Sequence, residues 1–330
     1  MLFVIYINDM PECVDSTTYL FADDTKIFRE IKSPNNEEKL QNDLDELQKW
    51  SDTWLVLKFH PNKCKVLTVS NRKMAEKEAK TYHLYDNEGK EVKLEQSDGE
   101  KDIGVLVDET ISFSTHIQNQ INIKANSIMG LIRRTYSYLD EQALVRPHLE
   151  YAAAVWSPCK SGEIKQIENV QRRAMKQIPS LKNMEYNQRL RKLNMPTLKY
   201  RRARRDMIEV FKILNGIYDT HATIGMMELN TQAYTRGHNK KLKKQSCRLN
   251  VRKYSFTSRV VDILNSLPEE IIVAKTVKEF KIGLDNHWKH QECKYDFSMD
   301  INIRSKTGCY VKSRTNTIEN ITVADTHCSG

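Results

Sequence analysis

The chain has 330 residues, 39% hydrophobic and 29% charged, which is enough apolar content for a sizeable core and too much for a disordered chain. A formal net charge of +9 with a pI near 9.0 favours polyanionic partners, nucleic acid first. Seven scattered cysteines, odd in number and without a Cys-x-x-Cys pair, argue against a disulfide framework and exclude a standard zinc ribbon. They fit a reducing compartment, so the expected location is intracellular, in nucleus or cytoplasm. No basic leader precedes the short N-terminal apolar run, so secretion is not expected, and no stretch is long enough to span a bilayer.

Residues 2–7 form a continuous apolar run, fitting a buried strand or the end of a buried helix, until Asn8, Asp9 and Pro11 break it. Residues 17–28 then read as strand, tight acidic turn and strand. Adjacent carboxylates at such a tip, Asp23 and Asp24, are either an ordinary Asx turn or a pair of hard oxygen ligands for a divalent cation. Ser33 to Asn36, with Glu38 three residues after Asn35, supplies a helix start. Leu40, Leu44, Leu47, Trp50, Trp54 and Leu57 follow at helical spacing, and this stripe should pack beneath the sheet carrying the acidic hairpin. After Lys63-Cys64-Lys65 come a strand at 66–69 and a charged connector at 71–80. A hairpin is expected at 82–94 around Asp86-Asn87-Glu88-Gly89. Within residues 101–107, Gly104 permits either a close backbone approach or a bulge.

From Thr115 the pattern is helical. Ile117, Ile121, Ala125, Ile128 and Ile132 line one face, and Arg133 and Arg134 close the end, where cations complement the helix dipole. Ile164 to Ile178 repeats the period with Arg172, Arg173 and Lys176 off the apolar face. Beyond Pro196, Leu198 to Leu214 carries Arg201, Arg202, Arg204 and Arg205. Such basic faces are either solvated or track a phosphate backbone, each neutralised phosphate adding salt-dependent affinity. Residues 219–250 are polar, a loop or lid with Lys240, Lys241, Lys243 and Lys244, and two closing helices follow. His287, His290 and Cys293 stand three residues apart and could share a helix face as zinc ligands, but no fourth ligand is evident and the spacing reads as coincidence. Beyond Lys294 the composition loosens into a tail expected to be disordered.

The ordered set Leu2-Phe3-Val4-Ile5-Tyr6-Ile7-Asn8-Asp9-Met10-Pro11-Glu12, Phe21-Ala22-Asp23-Asp24, Lys63-Cys64-Lys65, Lys101-Asp102-Ile103-Gly104-Val105-Leu106-Val107 and Val145-Arg146-Pro147-His148-Leu149-Glu150-Tyr151 resembles reverse transcriptases of non-LTR retrotransposons, most closely the jockey-like group. The resemblance implies an α+β fold: a partial polymerase palm, an antiparallel sheet with helices, over 1–112. A helical thumb-like region over 113–218, a basic loop with C-terminal helices over 219–293, and a tail over 294–330 would follow. It implies that Asp23 and Asp24 are metal ligands for Mg²⁺ or Mn²⁺, and that Lys63 lies near the incoming nucleotide, where a lysine could stabilise or protonate departing pyrophosphate. It makes Ile103 and Gly104 part of a primer-grip strand. RNA template, DNA primer and deoxynucleotides are the partners it implies, with no membrane.

In that family a further Asp on an earlier palm strand completes a two-metal site, the ions roughly 3.5–4 Å apart, for in-line phosphoryl transfer. By the resemblance this chain begins just after a glycine-rich motif would have ended, without that Asp or the fingers. It also lacks helical residues between Gln142 and Ala143, and carries His60 for the usual Asn and Leu264 for the usual Trp. The expectation is an RNA-directed DNA polymerase (nucleotidyltransferase) fragment, inactive as this chain alone. The alternatives are a non-catalytic nucleic-acid-binding helical protein and a decayed retroelement product.

Overall fold

The computed structural model describes residues 5–54, 58–70, 80–135, 147, 149–231 and 237–303. The chain forms two compact units, Met1–Phe113 and Ser114–Gly330. In the first, β1 (Thr17–Phe21) and β2 (Asp24–Phe28) pair antiparallel from Thr17↔Phe28 to Phe21↔Asp24. Their period of two turns Leu20 and Ile27 to one face, where they pack with Ile7, Met10, Leu47 and Trp50. Leu47 and Trp50 belong to α1 (Pro34–Trp54), so the apolar stripe of this helix does lie beneath the hairpin. One and two turns earlier on the same helix, Leu44 and Leu40 reach a second small core around Tyr82, Leu84 and Leu94. The Trp54 side chain and Leu57 lie outside the described residues.

The remaining strands are short. β3 (Lys65–Leu67) runs parallel to β6 (Glu95–Ser97), and β4 (His83–Tyr85) pairs antiparallel with β5 (Glu91–Lys93). The β4–β5 turn is built as its composition predicts: the Asp86 carboxylate accepts the Glu88 and Lys90 amides, and Gly89 takes a φ of +77°. β7 (Gly99–Asp102) and β8 (Val105–Asp108) form a third hairpin. The unit is α+β. It departs from the expected single antiparallel sheet, because the described residues form four two-stranded ladders, one of them parallel. The β4–β5 hairpin lies between β3 and β6 in sequence and provides the long crossover that parallel pairing needs.

The second unit is helical. α2 (Ser114–Asn119) passes through a π-helical segment, Gln120–Ala125, into α3 (Asn126–Thr135). Ile117, Ile121 and Ala125 are buried as their spacing predicts, whereas the side chains of Ile128, Ile132 and Arg133 lie outside the described residues. After the short α4 (Ala153–Trp156) come α5 (Ser161–Lys176), α6 (Tyr186–Lys192) and α7 (Leu198–Leu214), which Thr197 caps by accepting the Tyr200 amide. α8 (Val277–His287) closes the fold. Residues 136–146, where the missing helical residues were expected, lie outside the described residues.

The main core of this unit joins Tyr200, Met207, Val210 and Phe211 of α7 to Leu242, Val260, Leu264, Phe280, Leu284 and Trp288. One core therefore runs across residue 218, where a boundary between thumb-like and C-terminal regions was expected. Nor does packing stop at Lys294. Tyr295 and Phe297 pack on Met175, Tyr186 and Leu190, and the Lys199 ammonium reaches Asp300 at 2.6 Å. The expected tail beyond residue 303 lies outside the described residues, and among those described no helix is long and apolar enough to cross a membrane.

Candidate metal hairpin and basic helical surface

The closing pair of the first hairpin is Phe21↔Asp24, which leaves Ala22 and Asp23 as its two-residue loop. Ala22 has a φ of +52°, a conformation that costs a residue with a Cβ about 1–2 kcal/mol. Both carboxylates, Asp23 and Asp24, are exposed at this tip. The outward face of the two strands carries Tyr19 and Phe21, 59% and 58% exposed, and Phe28, 47% exposed. Tyr19 and Phe28 stack diagonally across the strands with ring centroids 5.4 Å apart. So large an apolar surface beside two acids is unusual on a free hairpin.

The base of the hairpin is held by a residue to which the sequence pattern gave no role. Asp43 of α1 accepts the Asp15 amide at 3.1 Å, the Ser16 amide at 3.1 Å, the Ser16 hydroxyl, and the Arg29 guanidinium at 2.9 Å. Ser16 precedes β1 and Arg29 follows β2, so one carboxylate clamps both strand ends. Burial alone would raise the Asp43 carboxyl, but hydrogen bonds from Ser16, Arg29 and the Asp15 amide outweigh it and hold its pKa below the ordinary carboxylate value. The available signal was a charged side chain between Leu40 and Leu47 on the inward stripe of α1.

The structure brings two of the expected site segments together. Lys26 of β2 forms an ion pair with Asp102, the last residue of β7, next to Ile103 and Gly104. Both partners are more than one-third exposed, so the pair aligns the hairpins and contributes little stability. Ile103 and Gly104 do not lie within a strand as expected. They are the two-residue loop of the β7–β8 hairpin, with φ values of +43° and +81°, the pattern of a type I′ turn. Lys63 is exposed at the end of a 3₁₀ turn, Pro61–Lys63, its amide bonded to the His60 carbonyl. No hydrogen bond or ion pair among the described residues joins it to the acidic tip.

Two adjacent carboxylates are the right donors for Mg²⁺ or Mn²⁺, but a closed site needs more of them. Among the described residues no group of three His, Cys, Asp or Glu side chains converges as a metal site. The pair alone does not fit a resident ion. The zinc arrangement also fails on geometry. α8 ends at His287, so His290 and Cys293 fall beyond it and share no helix face with it. Cys293 is buried, and burial pushes its thiol up to about 12, far from the thiolate that zinc binds.

Three of the four arginines of α7 are engaged by acids, and the fourth is buried. Arg201 and Arg205 both engage the buried Glu150, and Arg204 makes a bidentate pair with Asp285 at 2.5 and 2.7 Å. Arg202 is 5% exposed, its guanidinium 5.7 Å from the Trp156 ring, with Nε and one Nη lacking hydrogen-bond partners among the described residues. A polyanion has no access to Arg202, which corrects its expected place on a nucleic-acid face. The helical period shows which residues share a face and says nothing of which acids meet them. The neighbouring Asp206 pairs with Arg259, a residue to which the sequence pattern assigned no role.

The outward cations are different. Arg134 donates to the Gly130 carbonyl one turn back, and Arg173 reaches the Asn126 side chain at 3.0 Å. Arg172 and Lys176 line an open cleft of about 350 Å³ with Glu185, Tyr186, Asn187 and Arg189. Compared with known proteins, the chain matches no family model, no curated protein and no solved structure.

Proposed function

We propose that the first unit is the metal-binding part of a reverse-transcriptase palm of the non-LTR retrotransposon type, and that the second is a nucleic-acid-binding helical region. The observation that carries this reading is the position of Phe21-Ala22-Asp23-Asp24. Both carboxylates are exposed at the tip of a hairpin whose turn holds a non-glycine residue at positive φ. Strain of that kind persists where the surrounding structure over-determines it, often where side chains are being presented. On this reading Asp23 and Asp24 supply two hard donors for Mg²⁺ or Mn²⁺. A further carboxylate, which the described residues do not bring to the tip, completes the site. RNA template, DNA primer and deoxynucleotides are the partners of that lineage.

The test has two parts. Mn²⁺ binding to the purified chain, followed by electron paramagnetic resonance, should be weak and should disappear in the Asp23→Asn/Asp24→Asn double variant. Primer extension on an RNA template with Mg²⁺ or Mn²⁺ should give no product from the chain alone. Retention of Mn²⁺ binding by the double variant would end the hairpin reading, and robust nucleotide incorporation would overturn the expected inactivity. A second reading, a non-catalytic nucleic-acid-binding protein, is favoured by the cations of the open cleft beside α5 and α6, which have no ion-pair partner among the described residues.

A further inference from the structure

Four arginines of the second unit pair with an acid. Arg201 and Arg205 have Glu150, Arg204 has Asp285 and Arg259 has Asp206. Three cations at one cleft do not. Arg172 and Lys176 stand one turn apart on α5, Arg189 projects from α6, and none of the three has an ion-pair partner among the described residues. Arg189 is 3% exposed, and its guanidinium is fixed by the Met184 carbonyl at 2.6 and 2.8 Å and the Arg172 carbonyl at 3.3 Å. Carbonyls orient this charge and leave it uncompensated. The Arg172 guanidinium lies 5.0 Å from the Tyr186 ring centroid, and its Nε–H is enclosed without a hydrogen-bond partner. The Tyr186 hydroxyl donates away from the cleft, to Glu168 at 2.7 Å.

The local acids do not answer these charges. Glu185 lines the cleft, yet its carboxylate takes part in the capping box at the start of α6. Asp296 accepts from Asn187 and from the amide and hydroxyl of Ser298. The buried Arg189 and its neighbour Arg172 therefore repel one another in a partly desolvated place, an arrangement that an oxyanion relieves. A planar guanidinium beside a flexible ammonium matches a tetrahedral oxyanion with several acceptor oxygens better than a single carboxylate.

We propose that Arg172 and Lys176 bind a phosphate group at the cleft above Tyr186, supplied by a single-stranded polynucleotide backbone, with the buried charge of Arg189 strengthening the local field without touching the ligand. This deepens the nucleic-acid reading of the helical unit and does not depend on the acidic hairpin. Inorganic phosphate carries the same chemistry, and the experiment separates the two sources.

A labelled single-stranded RNA oligomer is titrated into the full chain by fluorescence polarisation, for the parent and for Arg172→Gln/Lys176→Gln. The double variant should bind about tenfold more weakly or worse, since hydrogen bonds to charged groups are at stake. Its log–log salt slope should be shallower by about 0.7 for each RNA phosphate that the variant no longer neutralises. The readout is RNA affinity and not Mn²⁺ binding, so failure of the metal reading and failure of this one are distinguishable. In parallel, inorganic phosphate is titrated while the Arg172 Nε–H resonance is followed by NMR. A saturable shift with unchanged RNA binding in the variant upholds the site and names the free anion as its ligand. If the double variant melts early, Lys176→Gln, at an exposed side chain, serves in its place. Unchanged RNA affinity and salt slope, together with no saturable phosphate shift, would overturn the proposal.

Discussion

The fate of each charged side chain depends on what stands opposite it. Asp43 is the clearest case, because one carboxylate takes up the Ser16 and Arg29 ends of the hairpin. Asp43→Ala would leave Arg29, only 15% exposed in its side chain, without its partner. Removing one member of so enclosed a pair should cost about 3 kcal/mol in urea unfolding. The pH dependence has a definite sign. The Asp43 pKa is depressed in the folded state, so its contribution is full above the ordinary carboxylate range and is lost as pH falls through the depressed value. Asp43→Asn should flatten that acid limb, and an unaltered limb would count against the clamp. Glu168 is the opposite case: burial raises its carboxyl above the ordinary value despite hydrogen bonds from Tyr186 and the Lys199 amide. Its ionisation opposes folding as pH rises.

At the level of elements, the hairpins with good turn chemistry were the legible ones. Asp86-Asn87-Glu88-Gly89 announces its turn, and the alternation on either side of Asp23 and Asp24 announces β1 and β2. The family resemblance placed residues 101–107 in a single strand, and Ile, a poor residue at positive φ where β-branching adds to the steric cost, gave no local signal of a turn. The structure nevertheless places Ile103 at a φ of +43° in a two-residue loop. Ile103→Asn would create the Asn-Gly dipeptide that such turns favour and should raise stability by about 1 kcal/mol, read as a higher urea midpoint at unchanged slope. A lower midpoint would show that the exposed Ile103 side chain contributes more than the turn strain costs.

At the scale of the molecule, the formal charge of +9 overstates what is offered to a polyanion, since much of the α7 charge is taken up by internal acids. Glu150 alone, buried with 6% exposure, engages both Arg201 and Arg205. Glu150→Gln should therefore lower stability by about 2 kcal/mol, through loss of charge-assisted bonds from a buried site, and tighten low-salt RNA binding by freeing two cations. Denaturation and polarisation titrations on the same preparation check both arms. Weaker RNA binding by a folded variant would show that the usable charge lies elsewhere.

The sequence by itself determined the local matters: the acidic hairpin, the apolar stripe of α1 and the inward faces of the helices, because periodicity and turn chemistry act over a few residues. Tertiary structure alone decided which acids meet which arginines, why one core crosses residue 218, and how the Asp43 clamp and the Arg172–Arg189 cleft arise. Those depend on contacts between residues distant in the chain, where the energy of a charge is set by its neighbours in space and not by its neighbours in sequence.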